Sequence, residues 1–282
     1  MTRDDQAGKL RQLMRDVRTT RTIAVTGGKG GVGKSNVALN LAILLSAGGN
    51  RVALVDADLG LANLDVLLDV AAPYDLSHVV RGRKRLAEVI VDLPCGVQLV
   101  PGASGLEHLT RLGEFEQARL IEELTALEAD NDFIVVDCAA GIAPATIRFA
   151  TSADNTILVS TPEPTAITDA YAVVKVLTRH GYDGRMSLLT NMVADRHEAR
   201  ASYERLSGVA RQFLAMRVLD AGYVLRDVKL PDAVRRREPV VLAYPRCPAT
   251  RCLAALANKL GRGGLLVKEE MGFFRRLARW FA

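Results

Sequence analysis

Ile23-Ala24-Val25-Thr26-Gly27-Gly28-Lys29-Gly30-Gly31-Val32-Gly33-Lys34-Ser35 is the stretch that decides how this chain is read. It opens as an apolar strand, and Gly28–Ser35 is a complete G-x-x-x-x-G-K-[ST] loop that runs into a helical pattern over Ser35–Ala47. Strand, glycine-rich turn and helix in that order form a phosphate site. The glycines let successive backbone N–H groups point at phosphate oxygens, and the helix adds the positive end of its dipole. Gly28, Lys29, Gly30, Gly31, Val32, Gly33, Lys34 and Ser35 are therefore the expected nucleotide cradle. Lys34 is placed for the β- and γ-phosphates, and the Ser35 hydroxyl for magnesium.

Outward from this loop, short aliphatic runs alternate with longer helical patterns. Strands are expected at Thr22–Thr26, Arg51–Val55, Val97–Val100, Phe133–Asp137, Thr156–Ser160 and Met186–Asn191, with another near Val218–Val224. Helices are expected around Ser35–Ala47, Glu114–Ala129, Ala166–His180, His197–Met216 and Ala249–Gly261. The alternation predicts an α/β fold, a doubly wound and mainly parallel sheet with helices on both faces. Three zones follow from composition: an N-terminal segment over 1–21, an α/β domain carrying the phosphate loop over 22–262, and a hinge with an amphipathic helix over 263–282.

Two further strands end in carboxylates. Val52-Ala53-Leu54-Val55-Asp56-Ala57-Asp58 puts Asp56 and Asp58 at i and i+2, on one side of an extended chain. At the carboxyl edge of a parallel sheet that side faces the ligand crevice. Asp56 is assigned to the metal shell and Asp58 to orienting the attacking water; paired capping aspartates are the plain alternative. Phe133-Ile134-Val135-Val136-Asp137 ends in a third carboxylate, expected to reach magnesium through water or through Ser35. Gly141 follows and gives the chain room to turn. Asn191 closes another strand; its amide suits an adenine edge, although asparagine also suits a turn.

The 282 residues, 49% apolar and 24% charged, suffice for a large core and exclude disorder and disulfide scaffolds. No apolar run reaches the roughly 20 residues of a membrane-spanning helix, and the charged N-terminus has no secretory pattern. Four cysteines fit free thiols in a reducing compartment, so a cytosolic protein is expected. Cys247 and Cys252 form a C-x4-C pair too isolated to imply metal, and the four histidines match no ligand or triad spacing. The net charge of +5 lies partly in the tail, where Arg262, Lys268, Arg275, Arg276 and Arg279 outnumber Glu269 and Glu270. A local basic excess points to a local anionic partner.

Lys29, set just after the first glycine, makes the loop resemble that of the MinD/ParA class of deviant Walker A ATPases. The resemblance implies ATP and magnesium as cofactors, an ATP-dependent homodimer, and catalytic roles for Lys29, Lys34 and Asp58. Lys29 would reach across the dimer to the phosphates held by the partner subunit. The stretches Asp56–Leu68, Pro101–Gly105 and Thr161–Tyr171 narrow the likeness to flagellar-number regulators of the FlhG/FleN (YlxH) family. Cys138 departs from the threonine or serine expected after Asp137, which affects one local hydrogen bond.

Asp5-Gln6-Ala7-Gly8-Lys9-Leu10-Arg11 is similar to the motif by which that family engages and stimulates an FlhF-type GTPase; Asp5, Gln6, Ala7, Leu10 and Arg11 would carry the contact. Leu10, Leu13, Met14 and Val17 form one helix face, too small to fold alone but able to order in a groove. A helix packed on its own domain is the alternative. In the tail, Phe273, Phe274, Leu277, Trp280 and Phe281 fall on an arc of roughly 120° with the arginines opposite. That pattern predicts an interfacial helix on anionic membrane, peripheral at the inner face of the cell membrane; a helix docked on the protein's own core is the alternative. Flagellar switch proteins or a transcription regulator are further candidate partners. Two rivals share the switch: a division-site regulator of the MinD type, and a DNA-partitioning ATPase of the ParA type using Arg235, Arg236 and Arg237. The aromatic tail speaks against direct nucleic-acid binding.

Overall fold

Eight strands make one sheet in a computed structural model that describes residues 20–58, 64–102, 114–262 and 271–280. In chain order the strands are β1 (Arg21–Gly27), β2 (Val52–Ala57), β3 (Val91–Asp92), β4 (Val97–Val100), β5 (Phe133–Ala140), β6 (Asn155–Ser160), β7 (Arg185–Val193) and β8 (Val218–Leu225). Their spatial order is β3-β4-β2-β5-β1-β6-β7-β8, and every pair is parallel except β3 with β4. All seven expected strands are present. The antiparallel edge strand β3 has two residues, too few to leave a periodic signal.

The longer helices are α1 (Lys34–Ala47), α4 (Glu114–Asp130), α5 (Pro144–Ser152), α6 (Pro164–Arg179), α7 (Arg196–Leu214) and α10 (Pro248–Gly261). Shorter pieces are α2 (Leu64–Leu68), α3 (Leu76–Val80), α8 (Lys229–Arg235), α9 (Val240–Ala243) and the C-terminal α11 (Phe273–Ala278). Strand β5 shows why both faces are covered. Phe133 and Val135 pack with the α1 and α10 side, whereas Ile134 and Val136 pack with the α4–α7 side. Aliphatic side chains on both faces need helices on both faces. The helix α5 was not expected: Pro144 starts it, but its nine residues are too few for a clear amphipathic repeat.

The tail departs from expectation. Phe273, Phe274 and Leu277, assigned to a membrane surface, are buried against α4 and α5 and belong to the core. The physical reason is polar as well as apolar. Glu128 at the end of α4 accepts from the Phe273 and Phe274 amides at 2.8 and 3.3 Å, satisfying the open N-terminus of α11. Arg276 pairs with Asp154 at 2.5 Å and donates to the Ser152 carbonyl at 2.7 Å. Asp154 also accepts from the Thr22 amide and hydroxyl, tying the tail to the start of β1. Trp280 is 37% exposed and stacks edge-on with His180. Phe281 and the segment holding Asp5, Gln6, Ala7, Leu10 and Arg11 lie outside the described residues. Among the described residues no helix is long and apolar enough to cross a membrane.

Candidate active site

The carboxyl ends of β1, β2 and β5 converge because the three strands are neighbours in the sheet. Beyond β1 the loop curls back onto the start of α1, where Gly33 occupies the N-cap at φ 91° with no side-chain cap. The first amides of the helix are thus presented by backbone alone. Two glycines are demanded by contact. A Cβ on Gly28 would lie 2.2–2.5 Å from the backbone of Asp169 and Ala170 in α6, and one on Gly33 would meet the Asn191 amide nitrogen at 2.4 Å. The first approach brings the Thr161–Tyr171 stretch against the loop.

Lys34 is buried at the first turn of α1. Asp56 and Asp137 are register partners across β2 and β5, and both are buried. Burial, with Asp56 nearby, pushes Asp137 up to about 7; it outweighs Ser35 and Lys34, which stand near the Asp137 carboxylate and favour its ionised form. Its Oδ1 is buried with no hydrogen-bond partner. An orphaned carboxylate oxygen beside a hydroxyl and a second carboxylate fits magnesium, a cation that takes hard oxygen donors. Magnesium usually takes one or two carboxylates and completes its shell with water and phosphate.

Asp58 lines the cleft, and its amide donates to Asp56 Oδ1 at 3.1 Å. Lys29 stands at the surface 3.5 Å from Glu163, with both side chains about half exposed or more. Gly141 turns at φ 86°, and its amide donates to the Gly27 carbonyl at 2.8 Å, joining the loops after β1 and β5. Asn191 is beside the loop in a bracing arrangement. Its Nδ2 donates to the Val32 carbonyl at 2.8 Å, and its Oδ1 accepts from Met192, itself at φ 59°. The turn-forming alternative describes what Asn191 does in this structure, with the clamp on Val32 in addition.

The cleft has a volume of about 540 Å³, within the range of small-molecule sites. Its apolar wall of Val66, Leu67, Met192, Val224, Leu230 and Leu253 escapes sequence reading, since these residues come from five separate elements. Cys138 is fully buried and makes only a 3.8 Å contact to the Val136 carbonyl. Burial pushes its thiol well up. Cys247 caps α10 by accepting from the Thr250 amide, the work of an ordinary structural thiol.

A family model described as an AAA domain matches residues 20–181. The antiactivator FleN of Pseudomonas aeruginosa is 40% identical over 247 residues, covering 88% of each chain. The flagellum site-determining protein YlxH of Helicobacter pylori is 37% identical over 268 residues, covering 93% of this chain and 90% of that one. The chain belongs to the FleN/YlxH family of MinD-like ATPases. The FleN/YlxH fold is also that of the septum site-determining protein MinD from Pyrococcus horikoshii complexed with Mg-ADP, at TM-score 0.70, 25% identity and coverage of 87% and 98%. A MinC:MinD cell division protein complex from Aquifex aeolicus matches at TM-score 0.69 and 26% identity, covering 89% of this FleN/YlxH chain and 99% of that one.

Proposed function

We propose that the chain is an ATP-driven switch that controls the number or placement of flagella. It binds ATP with magnesium, pairs with a second copy, and ends that state by hydrolysis. The observation that carries this reading is the Gly28–Ser35 loop seated beside the register-paired Asp56 and Asp137, in a chain whose relatives include the antiactivator FleN and the flagellum site-determining protein YlxH.

In this reading the loop amides and Lys34 hold the β- and γ-phosphates. Ser35, Asp56 and Asp137 would hold magnesium, partly through water, and the ion when bound would neutralise phosphate charge. Asp58 orients the attacking water. Lys29 crosses to the nucleotide of the partner subunit. Its pair with Glu163 is solvent-exposed, and such pairs contribute little, so Lys29 leaves at small cost. Asn191 keeps the loop in shape, and contact with adenine is a second role on the same cleft.

The N-terminal Asp5–Arg11 segment stimulates an FlhF-type GTPase. The tail binds anionic membrane through Phe273, Phe274, Leu277, Trp280 and Phe281, which requires α11 to leave the site where it is docked. The ParA-type reading is weaker because the antiactivator FleN and the flagellum site-determining protein YlxH are 40% and 37% identical to this chain. The exposed pairs of Arg235, Arg236 and Arg237 with Asp232, Glu238 and Asp69 would open at small cost and do not decide it. Measurement of magnesium-dependent ATP hydrolysis, of GTPase stimulation and of sedimentation with anionic vesicles tests the three parts separately.

A further inference from the structure

A groove of about 560 Å³ lies on the α4 face at the β3–β4 edge of the sheet, remote from the Gly28–Ser35 cleft. Its floor is apolar: Leu86 and Leu127 are buried, Ile90 is half-buried, and Ala126 is exposed. Its rim is acidic. Glu123 and Asp130 stand seven residues apart on α4, hence on one face of that helix, and Asp92 stands on β3. Arg85 is a cation on the same rim. Glu123 accepts from the Leu86 amide, and Asp92 accepts from Gln98, so the walls are braced.

The described chain begins beside this groove. The Thr20 hydroxyl lies within hydrogen-bond reach of the Glu128 carbonyl at 2.5 Å and the Asn131 carbonyl at 2.9 Å. Asn131 Nδ2 in turn donates to Gln98, a groove residue, at 3.2 Å. The preceding segment therefore leaves the domain at the end of α4 that carries Asp130. Arg18 and Thr19 can span up to about 7 Å, so residues 10–17 fall within reach of the floor. On a helical projection Leu10, Leu13, Met14 and Val17 cover roughly 100°, and Arg11, Arg15 and Arg18 lie together on one flank. The stripe matches the floor and the flank matches the rim.

We propose that this groove is the docking site of the chain's own N-terminal segment, with Leu10–Val17 on the floor and Arg11, Arg15 and Arg18 toward Glu123, Asp130 and Asp92. A tether this short gives an effective concentration in the millimolar range, so even weak complementarity populates the docked state. A second copy or an unrelated ligand lacks that advantage. The docking stands on the groove and the exit point, independently of any GTPase; a GTPase that binds the same stripe would compete with it.

The test places the photo-crosslinking residue p-benzoylphenylalanine at position 13 of the full chain and maps its products by mass spectrometry. The proposal expects products within one copy on 86–92 or 122–130. Products confined to other sites, or joining two copies, would overturn it. Hydrogen exchange of the full chain gives a second reading. Leu13→Asp with Met14→Asp, or Ala126→Arg in the groove, should speed exchange about five-fold in 86–92 and 122–130 and leave 28–35 unchanged. Unchanged exchange in the groove for both variants contradicts the proposal.

Discussion

Asp56 and Asp137 face each other in the parallel register of β2 and β5, so two buried carboxylates end at the same level of the sheet beside the phosphate loop. Both are buried, and the Asp137 carboxyl is pushed up to about 7, chiefly by burial. Between the ordinary value of 3.8 and about 7 the folded protein therefore holds a proton that the unfolded chain has released. Stability must fall as pH rises through that window. Asp137→Asn removes the ionisation, so without nucleotide the variant should gain on wild type by a few kcal/mol between pH 4 and pH 8. Thermal unfolding across that range checks this, and parallel pH profiles for the two proteins would contradict it.

Gly28→Ala and Gly33→Ala should both remove nucleotide binding while the fold persists. The first forces a Cβ into the backbone of α6. The second strains a residue at φ 91° and displaces Asn191 from Val32. Titration with a fluorescent ATP analogue should show at least about a ten-fold loss, equivalent to about 1.4 kcal/mol. Circular dichroism should be unchanged.

The docked tail changes what aromatic substitutions report. Phe274→Ala removes a fully buried ring and should cost about 3–5 kcal/mol in unfolding experiments. Arg276→Ala should loosen α11 with a smaller loss, because Asp154 keeps both bonds from Thr22. Trp280 is the sole tryptophan, so its emission reports the change. A red shift in Arg276→Ala without lipid, then a blue shift on adding anionic vesicles, is the expected sequence. Emission identical to wild type in both conditions would count against release of the helix.

The N-terminal segment precedes β1 in the chain and lies outside the described residues. Gln6→Ala, Leu10→Ala and Arg11→Ala together should leave ATP hydrolysis within about two-fold of wild type and abolish stimulation of an FlhF-type GTPase. Full stimulation by the triple variant would remove these residues from the contact.

The fold and most of the nucleotide site were legible because each signal is local. A strand, a glycine loop and a helix sit next to one another in the chain, and the carboxylates Asp56 and Asp137 end recognisable aliphatic runs. What stayed hidden depends on contacts between distant residues. Gly28 against Asp169 is one example, and the Val32–Asn191 clamp is another. The tail shows the same limit from the other side. An amphipathic pattern fixes which face of α11 is apolar, but a lipid surface and a groove between α4 and α5 ask for the same face. Glu128 and Asp154, far away in sequence, hold the helix in the groove in this structure.

The central claim is that ATP brings two copies together through this site. Light scattering of Asp58→Ala and Lys34→Ala with magnesium and ATP tests it most directly. Asp58→Ala retains the phosphate cradle and loses the group proposed to orient water, so it should accumulate as a stable dimer of about twice the monomer mass. Lys34→Ala should stay monomeric, and magnesium with ADP should leave both variants monomeric. A monomeric Asp58→Ala protein saturated with ATP would contradict the account, as would a normal ATP-dependent dimer of Lys34→Ala.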